Sequence, residues 1–136
     1  MIAVFSGMSK REKLSALQQL AGSTQKNIFR VDLSQIISTY IGETEKNLSK
    51  IFNQAAGKDW ILFFDEADAL FGKRTDVKDS HDRYANQEVA YLLQQLEHFK
   101  GMAIIASNNA NDIPEVLKSR CETIIPSNRY KKPKIY

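Results

Sequence analysis

The chain has 136 residues, which is enough for one domain with one core and too few for two. Hydrophobic residues make up 43% and charged residues 26%, and apolar runs such as residues 60–64 are short, which excludes a disordered chain and a membrane span. The net charge is +3, yet residues 1–126 carry −1, because the excess comes from Arg129, Lys131, Lys132 and Lys134. We therefore expect a folded domain at residues 1–126 and a short basic tail at 127–136, with neither nucleic acid nor membrane as a partner of the domain. The single Cys121 and the lack of a long apolar N-terminal stretch favour the cytoplasm.

Five short apolar runs alternate with segments of helical period along the chain. The predicted strands are residues 2–5, 28–32, 60–64, 102–107 and 123–125. Four amphipathic helices lie between them, with these apolar positions: Leu14, Leu17, Leu20 and Ala21; Leu48, Ile51, Phe52 and Ala55; Ala85, Val89, Leu92, Leu93 and Leu96; Ile113, Val116 and Leu117. Asp112 and Glu115 are placed to cap the last helix. The alternation predicts an α/β fold with a parallel sheet, whose chemistry lies at the carboxyl ends of the strands.

Polar residues follow the third and fourth predicted strands. Asp65 and Glu66 come directly after residues 60–64, where one acid can orient a magnesium ion and the other can polarise a water for attack on a phosphate. Asn108 follows the fourth strand and can hold that water. Acids also cap helices and asparagines also make turns, so these residues alone leave both interpretations open. His81 and His98 have no ligand-spaced partner in the sequence, and we expect no metal site made of protein ligands alone.

Two stretches resemble the AAA family of ATPases, namely VDLSQIISTYIGETEKNLSKIFNQAAGKDWILFFDEADALFGKR and HDRYANQEVAYLLQQLEHFKGMAIIASNNANDIPEVLKSRCE. The similarity covers about residues 27–125 and is greatest to bacterial members with a YIGETEKNL segment. The resemblance implies a three-layer, P-loop NTPase-like fold with a five-stranded parallel sheet in the order 5-1-4-3-2. It also implies ATP and Mg²⁺ as cofactors, and oligomers that remodel protein substrates.

The resemblance assigns catalytic roles to four residues. Asp65 and Glu66 match the Walker B acids, with Mg²⁺ held by Asp65 through water. Asn108 matches the sensor-1 residue. Arg120 matches the arginine finger, which acts on the nucleotide of a neighbouring subunit. The family usually has phenylalanine after the finger, where Cys121 stands, and this departure weakens the match for Arg120.

The resemblance also assigns binding roles. Tyr40, Ile41 and Gly42 match the pore loop that grips an unfolded polypeptide. Gly7 and Lys13 match the first glycine and the lysine of the phosphate-binding Walker A motif, and we expect them to contact nucleotide if the site is functional.

The phosphate loop departs from the family pattern. Glu12 replaces the second glycine and Leu14 replaces the hydroxyl residue that binds magnesium. A carboxylate repels a phosphate, and leucine cannot ligate a metal. The same residues form a capping box, in which Ser9 and Glu12 satisfy each other's amides at the start of a helix. We therefore predict an ordinary helix start in place of a working phosphate loop.

Two functions remain open at this stage. The first is an AAA-type ATPase that binds and hydrolyses MgATP and remodels protein in a homo- or hetero-oligomer. The second is a catalytically degenerate module that serves as a protein-binding or assembly subunit. The altered loop favours the second, as does the expectation that residues 127–136 are too few to form the family's helical lid.

Overall fold

A computed structural model describes residues 1–72 and 80–126, although the side chains of residues 80–86 and of most of the last strand are not described. The strands are β1 (Ile2–Ser6), β2 (Asn27–Asp32), β3 (Trp60–Asp65), β4 (Met102–Ser107) and β5 (Thr123–Pro126). The helices are α1 (Lys10–Thr24), α2 (Leu33–Ile36), α3 (Glu43–Ala55), α4 (Asp68–Phe71), α5 (Ser80–His98) and α6 (Glu115–Arg120), with a 3-10 turn at Ala110–Asp112. The predicted basic tail at residues 127–136 lies outside the described residues. No described helix is long and apolar enough to span a membrane.

The strands form one parallel sheet in the order β2-β3-β4-β1-β5. This confirms the predicted α/β class with a parallel sheet, and from the β5 edge the order is 5-1-4-3-2. The crossover connections place the carboxyl ends of β1, β3 and β4 side by side at one edge of the sheet. We call this edge the site edge.

Side chains alternate between two cores, one on each face of the sheet, because successive residues of a strand point in opposite directions. In β3, Leu62 and Phe64 face the larger core, which is filled by apolar residues of α3, α5 and α6. Ile61 and Phe63 face the smaller core, which is covered by Ala16 and Leu17 of α1. Helices therefore lie on both faces, in three layers.

Three details differ from the sequence predictions. The sequence predicts Leu14 on the apolar face of α1 and Val116 on that of α6, yet they are 56% and 47% exposed, because each helix buries a narrower stripe than its spacing suggests. The predicted cap at Asp112 is wrong: this residue ends the 3-10 turn, and α6 begins after Pro114, which has no side-chain cap.

Candidate functional site

The most strongly connected side chain at the site edge is Asp65, the last residue of β3, which is 5% exposed. Lys13 of α1 donates from Nζ to Asp65 Oδ1 at 2.9 Å. Arg30 of β2 donates to Asp65 Oδ2 from Nη2 at 2.8 Å and from Nε at 3.2 Å. The backbone amide of Glu66 donates to Oδ1 at 2.9 Å. Both carboxylate oxygens therefore already accept hydrogen bonds from the protein, two cationic side chains among the donors.

These contacts set the ionisation of Asp65. Burial alone raises the pKa of the carboxyl group, but the hydrogen bonds from Lys13, Arg30 and the amide of Glu66 outweigh burial and hold the pKa below its ordinary value of 3.8. Asp65 is thus a carboxylate at neutral pH, compensated by two positive charges. This Lys13–Asp65–Arg30 group is called the cation bracket below.

Arg30 is not among the site residues that the sequence predicts. The signal was a single charged residue inside the otherwise apolar run Ile28 to Val31, next to the strand that ends in Asp65. Arg30 pairs in register with Phe63, two residues before Asp65, so the two side chains emerge on the same face. Only the adjacency of β2 and β3 made that partnership visible.

The loop between β1 and α1 begins a capped helix, as predicted. Ser9 Oγ accepts from the amide of Glu12 at 3.1 Å, and Glu12 Oε1 accepts from the amide of Ser9 at 3.0 Å. Glu12 Oε2 is buried and has no hydrogen-bond partner in the described part of the chain. Gly7 has a φ of 66° and donates its amide to Ser107 O at 2.8 Å. The amides of Gly7, Ser9 and Glu12 are therefore all engaged within the protein.

The other two residues predicted at this edge differ: Glu66 adjoins the cation bracket and Asn108 does not. Glu66 is half-buried, with a φ of 57°, a left-handed conformation that few residues other than glycine adopt. Asn108 is exposed and donates from Nδ2 to Asp68 Oδ2 at 3.2 Å, so its described partner is α4 and not Asp65 or Glu66. The structure thus places Lys13, Asp65 and Glu66 together and turns Asn108 toward Asp68.

The segment predicted as a pore loop lies between α2 and α3. Tyr40 and Ile41 are 75% and 70% exposed, and Gly42 begins α3 with a φ of 83°. A hydrogen bond holds the base of the segment: the amide of Ser38 donates to Oγ1 of the buried Thr44 at 3.0 Å. Two large side chains are therefore exposed to solvent on a segment whose base is held by a hydrogen bond.

Arg120 is the last residue of α6 and about half-exposed. Its Nη1 lies 2.7 Å from Glu97 Oε2 on α5, so the guanidinium is paired within the chain. The neighbouring Cys121 is half-buried, and burial raises the pKa of its thiol above the ordinary 9.0. A thiol with a raised pKa is a poor nucleophile near neutral pH.

A cleft of about 480 Å³ opens beside the cation bracket. Apolar side chains, including Leu14, Leu17 and Phe63, line it together with Lys10, Lys13 and Arg30. A phosphate with its magnesium ion needs free amides, a free lysine and an oxygen ligand. Here the amides of Ser9 and Glu12 are engaged in the capping box, Lys13 is paired and Leu14 offers no oxygen, so the described residues do not fit that group. The described residues also contain no cluster of three or more potential metal ligands.

The family model and the similar proteins found by comparison point to the same family. The model of the ATPase family associated with various cellular activities (AAA) matches residues 5–129. The chain is 37% identical over 112 residues to the ATPase family gene 2 protein of Schizosaccharomyces pombe and 35% identical over 105 residues to the proteasome-activating nucleotidase of Aeropyrum pernix. It is 31% identical over 114 residues to the peroxisomal ATPase PEX6 of Candida glabrata. These matches cover 78%, 73% and 81% of this chain but only 13%, 26% and 11% of the respective relatives.

Proposed function

This chain belongs to the AAA family of ATPases, and we propose that it serves there as a protein-binding or assembly subunit that does not take up ATP at its own phosphate loop. The observation that carries the proposal is the state of that loop. The positive end of α1, which would attract a phosphate, already faces the carboxylate of Glu12. A nucleotide would have to displace this carboxylate and overcome its repulsion.

The cation bracket supports the same conclusion. Lys13 is the residue expected to reach the phosphates, and its side chain is 12% exposed and bonded to Asp65. Asp65 is the residue expected to orient magnesium, and both of its oxygens accept hydrogen bonds from the protein. Lys13 and Asp65 satisfy each other, so the pair needs no nucleotide to be stable.

Residues outside the phosphate loop are available to contact other proteins. Tyr40 and Ile41 present apolar surface of the kind that contacts a polypeptide. Arg120 carries a positive charge at the end of α6, and its ion pair with Glu97 is half-exposed, so an anion on a neighbour could compete with Glu97 for it. We therefore propose a cytoplasmic homo- or hetero-oligomer in which this subunit contributes a contact loop and a cation to its neighbours.

The alternative is a working MgATP site, and one observation favours it. Gly7, Lys13 and Asp65, which match motif residues of the family, lie at the same edge of the sheet. In that case Lys13 would have to leave Asp65 for the phosphates, with Mg²⁺ held by Asp65 through water, Glu66 and Asn108 nearby and Arg120 acting on a neighbour.

Calorimetric titration of MgATP separates the two functions. We expect no binding by the wild type at millimolar nucleotide. We expect micromolar binding by the repaired variant Glu12→Gly/Leu14→Thr, and loss of that binding when Lys13→Ala is added. Micromolar binding by the wild type that Lys13→Ala abolishes would establish the alternative. A folded repaired variant that still fails to bind would show that the capping box is not what prevents binding.

The assembly role is tested with Arg120→Ala. The variant is mixed with a nucleotide-hydrolysing AAA partner that the wild type activates, and the rate of ATP hydrolysis is measured. We expect the activation to be lost. Activation that survives the substitution would remove Arg120 from the proposed interface.

A further inference from the structure

A second cavity, of about 650 Å³, lies at the edge of the sheet opposite the site edge. It opens between the end of α3 with the following turn, Gly57 to Asp59, and the end of α5 with Phe99 to Gly101. These segments lead into the amino-terminal ends of β3 and β4. We call this cavity the basal groove. It shares no lining residue with the cleft beside Asp65, so both can be occupied at once.

The floor of the basal groove is apolar and aromatic. Phe52 is buried, Phe99 is half-buried, and their rings meet edge to face with centroids 5.7 Å apart. Ala55 and Ala56 complete the α3 side. Gly101 lies directly under the Phe99 ring, because a Cβ there would come within 2.8 Å of that ring. The floor is therefore preformed by packing and has room for an apolar side chain.

The rim is cationic. Lys26, Lys58 and Lys100 line it with one acid, Asp59, among the described residues. Asp59 lies 3.5 Å from Lys26 but is 79% exposed, so this is a weak surface ion pair, and Asp59 subtracts one charge from the three lysines. The ends of α3 and α5 each contribute about half a negative charge, which leaves an excess of about one positive charge. Lys58 Nζ lies 5.9 Å from the centre of the Trp60 ring.

We propose that the basal groove binds an acidic peptide segment of another protein, with a phenylalanine or leucine of that segment seated on the Phe52–Phe99 floor and its carboxylates at Lys58 and Lys100. Charge complementarity selects the occupant: an apolar anchor alone would not need the lysines, and a simple anion would not need the aromatic floor. This inference does not depend on whether the phosphate loop binds ATP.

The test is fluorescence anisotropy with three labelled ten-residue peptides. One has a central phenylalanine flanked by aspartates and glutamates, the second has serine in place of phenylalanine, and the third has lysines in place of the acids. We expect the first to bind at least tenfold more tightly than either of the others, and to weaken as salt is raised. Equal binding of the three peptides, or no binding of the first, overturns the proposal.

Variants locate the binding. Lys58→Glu/Lys100→Glu should weaken the first peptide at least tenfold, whereas the matched reversal Lys46→Glu/Lys50→Glu on an exposed part of α3 should change it less than twofold. Ala56→Trp, which fills the groove without changing charge, should also abolish binding, with folding checked by circular dichroism. Equal loss in both charge reversals, or tighter binding of a single-stranded oligonucleotide through the same lysines, would show a nonspecific or nucleic-acid surface and refute the inference.

Discussion

Replacing Asp65 with asparagine tests the cation bracket most directly. The substitution keeps the size of the side chain and one acceptor oxygen but removes the negative charge. Lys13, whose side chain is 12% exposed, then loses its counterion, whereas Arg30, 53% exposed, can be hydrated in place. The loss of folding stability therefore comes mainly from the unpaired charge of Lys13.

The expected magnitude follows from burial. Breaking a buried ion pair by removing one partner costs about 3–5 kcal/mol, and an exposed pair costs about 0–1 kcal/mol. Because the Lys13 pair is largely buried and asparagine retains an acceptor, we expect Asp65→Asn to lower the free energy of unfolding by about 3 kcal/mol. Lys13→Met should cost less, because Asp65 keeps Arg30 and the Glu66 amide. The double variant should lose less than the sum of the two, by about 1.5 kcal/mol.

Urea unfolding followed by the fluorescence of Trp60, the one tryptophan of the chain, measures these differences. Trp60 stacks on Phe29 at 4.9 Å, so unfolding changes its surroundings. The lowered folded-state pKa of Asp65 means that its stabilisation is complete above the ordinary value of 3.8 and is lost as pH falls through the lower folded value. The difference in free energy of unfolding between wild type and Asp65→Asn should thus be constant from about pH 8 to pH 5 and should disappear below pH 3.8. A loss under about 1 kcal/mol, or strictly additive variants, would refute the cation bracket.

Four further outcomes are expected. Ser9→Ala should lower the free energy of unfolding by about 1 kcal/mol in urea, because it removes the acceptor for the Glu12 amide, and an unchanged midpoint would contradict the capping box. Leu17→Ala should cost about 2–5 kcal/mol, whereas Leu14→Ala should stay within about 0.5 kcal/mol, because Leu17 is 8% and Leu14 is 56% exposed; similar costs would contradict the described face of α1. Arg120→Ala should cost no more than about 1 kcal/mol, since its ion pair with Glu97 is half-exposed, and a larger loss would assign Arg120 a structural role. Alkylation of Cys121 by iodoacetamide at pH 8 should be slower in the folded protein than in urea, as its raised pKa leaves less thiolate; equal rates would contradict its burial.

Local sequence signals predict the five strands, the four helices α1, α3, α5 and α6, and the capped start of α1, but not the short helices α2 and α4. Strand and helix periods depend on neighbouring residues, so the predicted strands match the observed ones to within a residue at each end. The capping box involves two residues only three positions apart, Ser9 and Glu12, so the sequence predicts it as well. The α/β class followed from the alternation of these local signals.

Contacts between side chains that are distant in sequence depend on how the strands and helices pack. Arg30 reaches Asp65 across 35 positions and Arg120 reaches Glu97 across 23, and both pairings depend on which strands and helices become neighbours. The exposure of Leu14 also depended on the width of the face that α1 buries against the sheet. Spacing along a chain encodes the direction of a side chain, but its partner is set by packing of elements that are remote in sequence.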